Sequence, residues 1–414
     1  MRLASVRMGQ GIFYGWWVLA ACMGMQILTT GLFMQAYGAY VTVMQGDFGW
    51  SKTQFSLGFS LQNILSGFFA PYLGWLIYRY GPRRMIRLGV LIFAISFMLF
   101  SMVNALWNFY LLLLLMSVGV SLSGFMAVNT VAVNWFEARR SVALSLIQTG
   151  MSIGGLFVPV VAYALSHQGW RFSALASGLV ILILGQFCAL IIRNQPEDMG
   201  LLPDGMLVER DSSQDSPKVE LSLGQALRTK AFWFLSFGHG LALMIVFAVM
   251  VHLVIFLQEE RGLSLQHAAG VASFLTAVTM MGQLLGGYLG DKVNKRLLVI
   301  VCMLAHTMAL GLLALGQNMF SVYLFVILHG LAWGIRGPLM QSLRADYFGR
   351  RHFARIMGYS AFLVTMGVIV GPILAGVMAD HFASYRLGFL VLAAIAIIGA
   401  VCFVFASRPK LSPA

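Results

Sequence analysis

The sequence predicts an all-α membrane protein with twelve transmembrane helices in two pseudo-symmetric six-helix bundles and both termini in the cytoplasm. Three observations support this prediction. The 414 residues are 59% apolar and only 10% charged, whereas soluble domains carry about 25% charged residues. Apolar segments of bilayer-spanning length recur along the chain. Landmark sequences of the first half also return in the second half.

Twelve apolar segments are each long enough to cross the hydrocarbon core as a helix. They are longer than the strands of a membrane barrel and do not alternate as such strands do. We therefore predict twelve helical spans. Their approximate bounds are 14–43, 55–79, 86–104, 107–135, 141–166, 171–193, 231–257, 267–290, 297–316, 320–347, 355–380 and 386–406.

The positive charges lie mostly at alternate ends of these segments. With a cytoplasmic N-terminus, 22 of the 27 Lys and Arg residues fall on the inside and four on the outside. The inside group includes Arg2 and Arg7 before the first segment and Arg344 at the close of the tenth. This bias predicts that both termini are cytoplasmic. It also accounts for the net charge of +13 without a nucleic-acid partner.

The repeated landmarks predict the domain organisation. Three pairs of sequences lie 212 or 213 residues apart: Gly74–Arg84 with Gly287–Arg296, Trp135–Arg140 with Tyr347–Arg351, and Pro159 with Pro372. We predict a first bundle over 1–193, a cytoplasmic linker over 194–230 and a second bundle over 231–414. Two such bundles around a midplane cavity are the architecture of many solute carriers.

One positive charge lies near the middle of an apolar segment. Arg336 is about 24 Å of helix from Phe320 and about 18 Å from Phe348. A charge at the bilayer centre costs from about 2.5 to more than 10 kcal/mol, so it faces a cavity or a partner. Because a guanidinium can bind a carboxylate through two charge-assisted hydrogen bonds, we predict that Arg336 binds substrate. The alternative is that it holds its helix to neighbouring backbone carbonyls.

The residues that follow Arg336 and the other polar side chains of the apolar segments extend this prediction. Gly337 and Pro338 remove a helix hydrogen bond and predict a kink. Polar side chains in lipid turn toward helix contacts or a cavity. By depth, we predict that five of them line a polar path, with interhelical contact as the alternative for each: Gln283, Gln148, Asn63, Gln35 and Tyr37.

Histidines are the side chains best suited to proton coupling, because no carboxylate lies near the middle of any segment. His252, near the outer end of the seventh segment, is our candidate for coupling or gating. We expect His239, His306 and His329 to be packed and hydrogen-bonded. The four are too scattered to predict a metal site. The four cysteines lack metal or redox spacing, and no cofactor or catalytic residue is predicted.

These residues resemble the major facilitator superfamily over the whole chain. The loop Gly74–Arg84 is similar to the signature after that family's second helix, with Tyr78 in the place of an acidic residue. The second copy keeps the acid as Asp291. The resemblance implies a cytoplasmic gate. We expect Asp291 to dock near Arg139, Arg140 and the start of the fifth segment, and we assign Arg83 to the mirror-image loop. The alternative is that Asp291 is a solvated loop charge.

Within that superfamily, the chain resembles the bacterial monocarboxylate and oxalate/formate carrier branch. The similar sequences are Phe13–Leu19, the junction from Phe136 to Gly154, the loop QPEDMGLLPDG and the run that begins at His252. In that branch an arginine on the eighth helix binds the substrate carboxylate. Here Gln283 stands in its place, which implies that the anion anchor has moved to Arg336.

Together these features predict a monomeric secondary transporter of the bacterial inner membrane. We expect it to move a small organic anion, a monocarboxylate or a related carboxylate, with a proton or an exchanged anion as coupling partner. Its other contact is membrane lipid. Two alternatives remain: an exporter of lipophilic or aromatic compounds, favoured by 25 Met and 31 Phe, and a non-transporting membrane sensor. The sequence contains no nucleophile–base pair that would indicate an enzyme, and it contains no Walker-type loop that would indicate ATP use.

Overall fold

The computed structural model describes residues 12–205 and 220–409. Within these two ranges all regular secondary structure is helical, and nine helical stretches are long and apolar enough to cross a membrane. The all-α membrane class is therefore confirmed, while the count of twelve spans and the side of the termini stay predictions. Arg2, Arg7, Lys410 and the linker residues 206–219 lie outside the described residues.

The chain forms two compact units. Among the described residues, the first comprises 12–139 and 146–205, and the second comprises 140–145 and 220–409. The helices of the first unit are α1 Tyr14–Thr29, α2 Tyr37–Phe48, α3 Lys52–Tyr80, α4 Pro82–Phe100, α5 Leu106–Ser123, α6 Phe125–Trp135, α7 Arg140–Gly155, α8 Val158–Val180 and α9 Gln186–Ile191. The first six residues of α7, 140–145, belong to the second unit.

Local distortions separate and join the helices of the first unit. The π-helical stretches Thr30–Met34 and Ile181–Gly185 continue α1 and α8. Gly169 leaves helical geometry inside α8, with φ 77° and ψ 164°. Glycine adopts this conformation without a Cβ clash. The fifth and sixth predicted segments therefore meet in a tight break at Gly169 rather than in a longer loop.

The second unit contains α10 Leu223–Leu227, α11 Lys230–Glu259, α12 Leu265–Gly290, α13 Lys295–Leu315, α14 Met319–Phe348, α15 Phe353–Phe382 and α16 Tyr385–Phe405. Six of these helices are preceded by a residue whose side chain accepts a backbone N–H of the first turn: Ser222, Thr229, Ser264, Asn294, Asn318 and Ser384. Such caps stabilise a helix by about 1 kcal/mol each, so they define where the spans start.

Glycines bring the helices of the second unit close together. A Cβ on Gly334 of α14 would lie 2.1 Å from the carbonyl oxygen of Thr279 on α12. A Cβ on Gly367 of α15 would lie 2.0 Å from the carbonyl oxygen of Gly240 on α11. Small residues permit such backbone contact between membrane helices. α14 stays one continuous helix across Pro338, so the expected kink does not interrupt it.

Candidate functional site

Two arginines of α14 are buried inside the second unit. Arg336 is 0% exposed, and Arg344 is 3% exposed. The sequence counted Arg344 among the charges at the inner end of its segment, and the structure shows that its side chain is buried. Its position four residues before the end of α14 resembles an interfacial site, but its side chain extends into the bundle, where polar groups of α11 and α15 bind it. The unit thus encloses two guanidinium groups rather than one.

Arg344 is fully engaged. Its Nη2 lies 2.9 Å from Nδ1 of His239 and donates to Oγ of Ser360 at 2.8 Å. Its Nη1 donates to Oε1 of Gln341 at 3.2 Å. Because a guanidinium only donates hydrogen bonds, Nδ1 of His239 is the acceptor and carries no proton. Ser236 donates to Ser360 at 2.8 Å, so Arg344 lies at the centre of a network that joins α11, α14 and α15.

Arg336, in contrast to Arg344, forms no hydrogen bond with the described protein. Its Nε, Nη1 and Nη2 atoms are buried and have no hydrogen-bond partner anywhere in the described parts of the chain. The alternative role, in which Arg336 holds α14 to backbone carbonyls, is therefore wrong for this conformation. A buried charge without partners is strongly unfavourable. The described protein therefore leaves the hydrogen-bond donors of this guanidinium unused.

The electrostatic environment of Arg336 is cationic or neutral. The titratable groups that interact with it are Cys302, His239, His306, His329 and Arg344. No carboxylate of the described ranges belongs to this group. Since nothing in this set neutralises the two guanidinium groups, the interior of the second unit attracts negative charge. We refer to Arg336, Arg344, His239, His306 and His329 as the cationic cluster.

Gln283 is the other predicted substrate residue in the second unit. It is buried, at 9% exposure, on α12. Its helix contacts α14 closely, because a Cβ on Gly334 would lie 2.7 Å from the backbone nitrogen of Gln283. Arg336 lies two residues after Gly334 on α14. Gln283 and Arg336 therefore belong to the same helix pair.

The remaining predicted substrate residues lie in the first unit. The Gln35 amide donates to the carbonyl oxygen of Met151 at 3.4 Å, and the Tyr37 hydroxyl donates to that of Phe55 at 2.8 Å. Asn63 donates to Phe59 of its own helix at 2.9 Å, and Gln148 is buried at 8% exposure. Gln35 and Tyr37 thus join parts of their own unit. The described contacts place only Gln283 and Arg336 in one helix pair.

His252 connects two helices of the second unit. Its Nε2 lies 2.9 Å from the carbonyl oxygen of Pro372, and its ring lies 5.2 Å from that of Tyr385. A carbonyl oxygen only accepts, so Nε2 of His252 carries a proton and donates it to this bond. Nδ1 is buried without a partner among the described residues. His252 therefore links α11 to α15 at the carbonyl of a helical proline.

Asp291 binds the start of α7. These first residues of α7 belong to the second unit. Its carboxylate accepts the backbone N–H groups of Ser141 at 2.8 Å and Val142 at 3.1 Å. A carboxylate in this position is stabilised by the helix dipole by about 0.3–2 kcal/mol. Arg140 pairs with Asp346 at 2.5 Å, and Lys295 pairs with the other oxygen of Asp346 at 2.5 Å. These bonds form the polar cluster that we call the α7 latch.

Arg139 and Arg83 are held by the segment that follows α9. Asp204 accepts the backbone N–H groups of Glu137, Ala138 and Arg139 at 2.7–3.3 Å. Asn194 accepts the backbone N–H of Arg83 at 3.0 Å. The sequence did not single out Asp204 because no local pattern indicates which loop its carboxylate would cap.

Glu220 repeats the Asp204 contact in the second unit. It accepts the backbone N–H groups of Arg350 at 3.2 Å and Arg351 at 3.0 Å. Arg350 and Arg351 are the residues that lie 212 positions after Ala138 and Arg139. Each repeat thus has its equivalent loop capped by a carboxylate from one end of the polar segment between the repeats. The repeat offset identifies the two loops as equivalent, but it does not identify the carboxylates that cap them.

Comparisons with known proteins agree with this architecture. The sequence profile of the Major Facilitator Superfamily matches residues 18–335 and 271–414. The oxalate:formate antiporter of Oxalobacter formigenes is 24% identical and covers 96% of this chain and 95% of its own. Monocarboxylate transporter 13 of Rattus norvegicus is 23% identical and covers 93% of this chain and 87% of its own.

A solved structure has the same fold. The transporter FucP, crystallised in the outward conformation, superposes with a TM-score of 0.73 and 16% identity. The match covers 94% of this chain and 99% of FucP. At this identity the likeness concerns the fold alone.

Proposed function

The chain belongs to the Major Facilitator Superfamily, and on that premise we propose that it carries a small organic anion across the membrane by alternating access. The membership agrees with the resemblance that the sequence motifs indicated, including the monocarboxylate and oxalate/formate branch. Relatives of this chain are transporters rather than enzymes. The cargo and the residues that bind it are our own inference.

One observation carries the proposal: the Arg336 guanidinium is fully buried and its three nitrogens have no partner in the described chain. A carboxylate satisfies this group best, because its two oxygens accept two parallel hydrogen bonds from the planar fork. Gln283 lies on the neighbouring helix and can bind a further oxygen. A monocarboxylate or a related small carboxylate therefore fits this position. Relatives named for oxalate, formate and monocarboxylates support the same class.

The burial of Arg336 requires that the helices move before an anion can reach it. We propose that the α7 latch takes part in this movement. Asp291 contributes two hydrogen bonds to the start of α7, and Asp346 binds both Arg140 and Lys295. Breaking these bonds would release the first turn of α7 from Asp291 and Asp346. The latch thus supports a role for Asp291 and Arg140 in gating. We extend this proposal to Arg139 and Arg83, which lie in loops of the first unit.

The charge distribution supports the proposed placement in the membrane. The excess of Lys and Arg in alternate loops favours twelve spans, with both termini in the cytoplasm of a bacterium. We propose that the chain works as a monomer in the inner membrane. His252 remains our candidate for gating, because its hydrogen bond to the carbonyl oxygen of Pro372 joins α11 to α15.

A thermal-shift measurement on the purified protein tests the proposed cargo. Formate, oxalate and lactate are added to the wild type and to the Arg336→Gln variant. A carboxylate at 100 times its Kd should stabilise the wild type by about 2.7 kcal/mol, and Arg336→Gln should remove this effect. The matched control is Arg228→Gln, since Arg228 is exposed and should not alter the stabilisation.

Two results would contradict the proposal. In the first, Arg336→Gln keeps the full stabilisation by carboxylates. In the second, the wild type responds to none of the anions. Indifference to every anion would favour an exporter of lipophilic or aromatic compounds, a reading that the Gln283 side chain in place of the branch's arginine also favours.

A further inference from the structure

Two histidines of the cationic cluster contact each other. Nδ1 of His306 on α13 lies 3.1 Å from Nδ1 of His329 on α14. Both residues are 0% exposed. The Nε2 atom of each is buried and has no hydrogen-bond partner among the described residues. The rings meet edge to face at 4.5 Å, and Phe325 covers His329 at 5.2 Å. The two rings are therefore linked through their Nδ1 atoms, and the Nε2 atom of each ring has no hydrogen bond within the described chain.

This geometry fixes complementary tautomers. Two Nδ1 atoms can share a hydrogen bond only if one carries the proton and the other is bare. A neutral imidazole has a single N–H, so the histidine that donates through Nδ1 has a bare Nε2. The histidine that accepts through Nδ1 has its proton on Nε2. The pair thus presents one proton acceptor, the bare Nε2 atom, to the interior of the unit.

The pair can hold one additional proton and no more. A proton from solution that binds the bare Nε2 converts that ring to an imidazolium, which still donates through Nδ1. The bond to the second ring becomes charge-assisted and therefore stronger. A second proton would place hydrogens on both Nδ1 atoms and break the bond between the rings. The arrangement consequently favours a single positive charge shared by the two residues.

The groups around the pair decide when it can be charged. Arg336 follows His329 by seven residues on α14, which is about 10 Å and nearly the same face of the helix. The other groups are Arg344 on α14, Cys302 on α13 and His239 on α11. The remaining helices have no titratable side chain at this depth: none on α12 between His267 and Tyr288, none on α15 between Tyr359 and Asp380, and none on α16 between Arg386 and Cys402.

The charge on Arg336 opposes a proton on the pair, and an anion bound to Arg336 would cancel that opposition. We propose that His306 and His329 form a one-proton store that is loaded when a carboxylate binds Arg336, so that the carrier moves the anion together with a proton. This inference rests on the proposed function, because the bound anion is what neutralises Arg336. It assigns coupling to a buried pair rather than to His252.

Proton uptake measured during anion binding tests the store. Formate or oxalate is added to the purified carrier in weakly buffered detergent near pH 6.5, and a pH indicator reports the protons taken up. The wild type should take up about one proton for each anion bound. Its anion affinity should rise on acidification, by up to about tenfold per pH unit, the limit for one linked proton. His306→Gln and His329→Gln should bind the anion without proton uptake and with a flat pH profile.

The control is His267→Gln, because His267 is exposed at the start of α12 and should keep the wild-type uptake. If the wild type binds formate or oxalate without taking up a proton, the store is overturned and the anion site stands. Proton uptake that persists in both His306→Gln and His329→Gln would likewise overturn the store and leave the anion site standing. If neither anion binds the wild type, the proposed function fails and the store fails with it. The wild-type arm decides the matter even if a variant does not fold.

Discussion

Arg336 and Arg344 lie eight residues apart on one helix, but only Arg344 forms side-chain hydrogen bonds within the described chain. Arg344 donates to His239, Ser360 and Gln341, whereas Arg336 has no partner in the described chain. Removing one member of a satisfied network leaves the others buried and unpaired. Removing a buried charge that has no partner relieves an unfavourable state. The two arginines should therefore respond to the same substitution with opposite signs.

Substitution of each arginine by methionine tests this difference. Without ligand, Arg336→Met should stabilise the protein by about 1–3 kcal/mol, because it removes an unpaired buried charge. Arg344→Met should destabilise it by about 2–3 kcal/mol, because it strands three polar side chains. Thermal unfolding in detergent measures both, with the exposed Arg228→Met as control. A lower melting temperature for Arg336→Met would show that Arg336 has partners in the protein.

Sequence reasoning identified Arg336 because its depth in an apolar run is a local property of the chain. It missed Arg344 because a cation near a helix end is ordinarily interfacial, and only packing against α11 and α15 reveals the burial. The contact between His306 and His329 could not be predicted either. The two lie 23 residues apart on different helices, and which faces meet depends on how α13 packs against α14.

At the scale of elements, the approach of α12 to α14 positions the candidate site. Gly282 and Gly334 let the two backbones meet, since a Cβ on Gly282 would lie 2.9 Å from the carbonyl oxygen of Leu331. Arg336 and Gln283 lie directly beside this contact. The helical nature of the apolar segments was predictable from their length and composition, because both are properties of sequence alone. The helix contacts that assemble the site were not.

Alanine at Gly334 should separate the two helices. Its Cβ would lie 2.1 Å from the carbonyl oxygen of Thr279, and backbone cannot move as easily as a side chain. We expect a loss of about 1–3 kcal/mol in stability and weaker anion binding. The matched control is Gly311→Ala on α13, where a Cβ meets nothing within 4 Å and alanine should stabilise the helix by up to about 1 kcal/mol. Equal melting temperatures for the two variants would contradict the close contact.

At the scale of the whole molecule, the repeat extends to the polar segment between the two repeats. Asp204 caps the loop that contains Arg139, and Glu220 caps the loop that contains Arg351. The repeat in the sequence predicted equivalent loops but not the carboxylates that bind them, because those lie outside the repeated motifs. Family membership groups the chain with transporters. The unpartnered guanidinium in the second unit is what favours an anion as its cargo.

Uptake of radiolabelled oxalate or formate into proteoliposomes tests the central claim, that Arg336 anchors a transported carboxylate. The wild type should accumulate the anion. Arg336→Gln should lower kcat/KM by roughly 100-fold, since the loss of hydrogen bonds from a charged donor costs about 3 kcal/mol, while Arg228→Gln should match the wild type. Binding without uptake in the wild type would favour a membrane sensor. Transport by correctly inserted Arg336→Gln with unchanged KM would contradict the account.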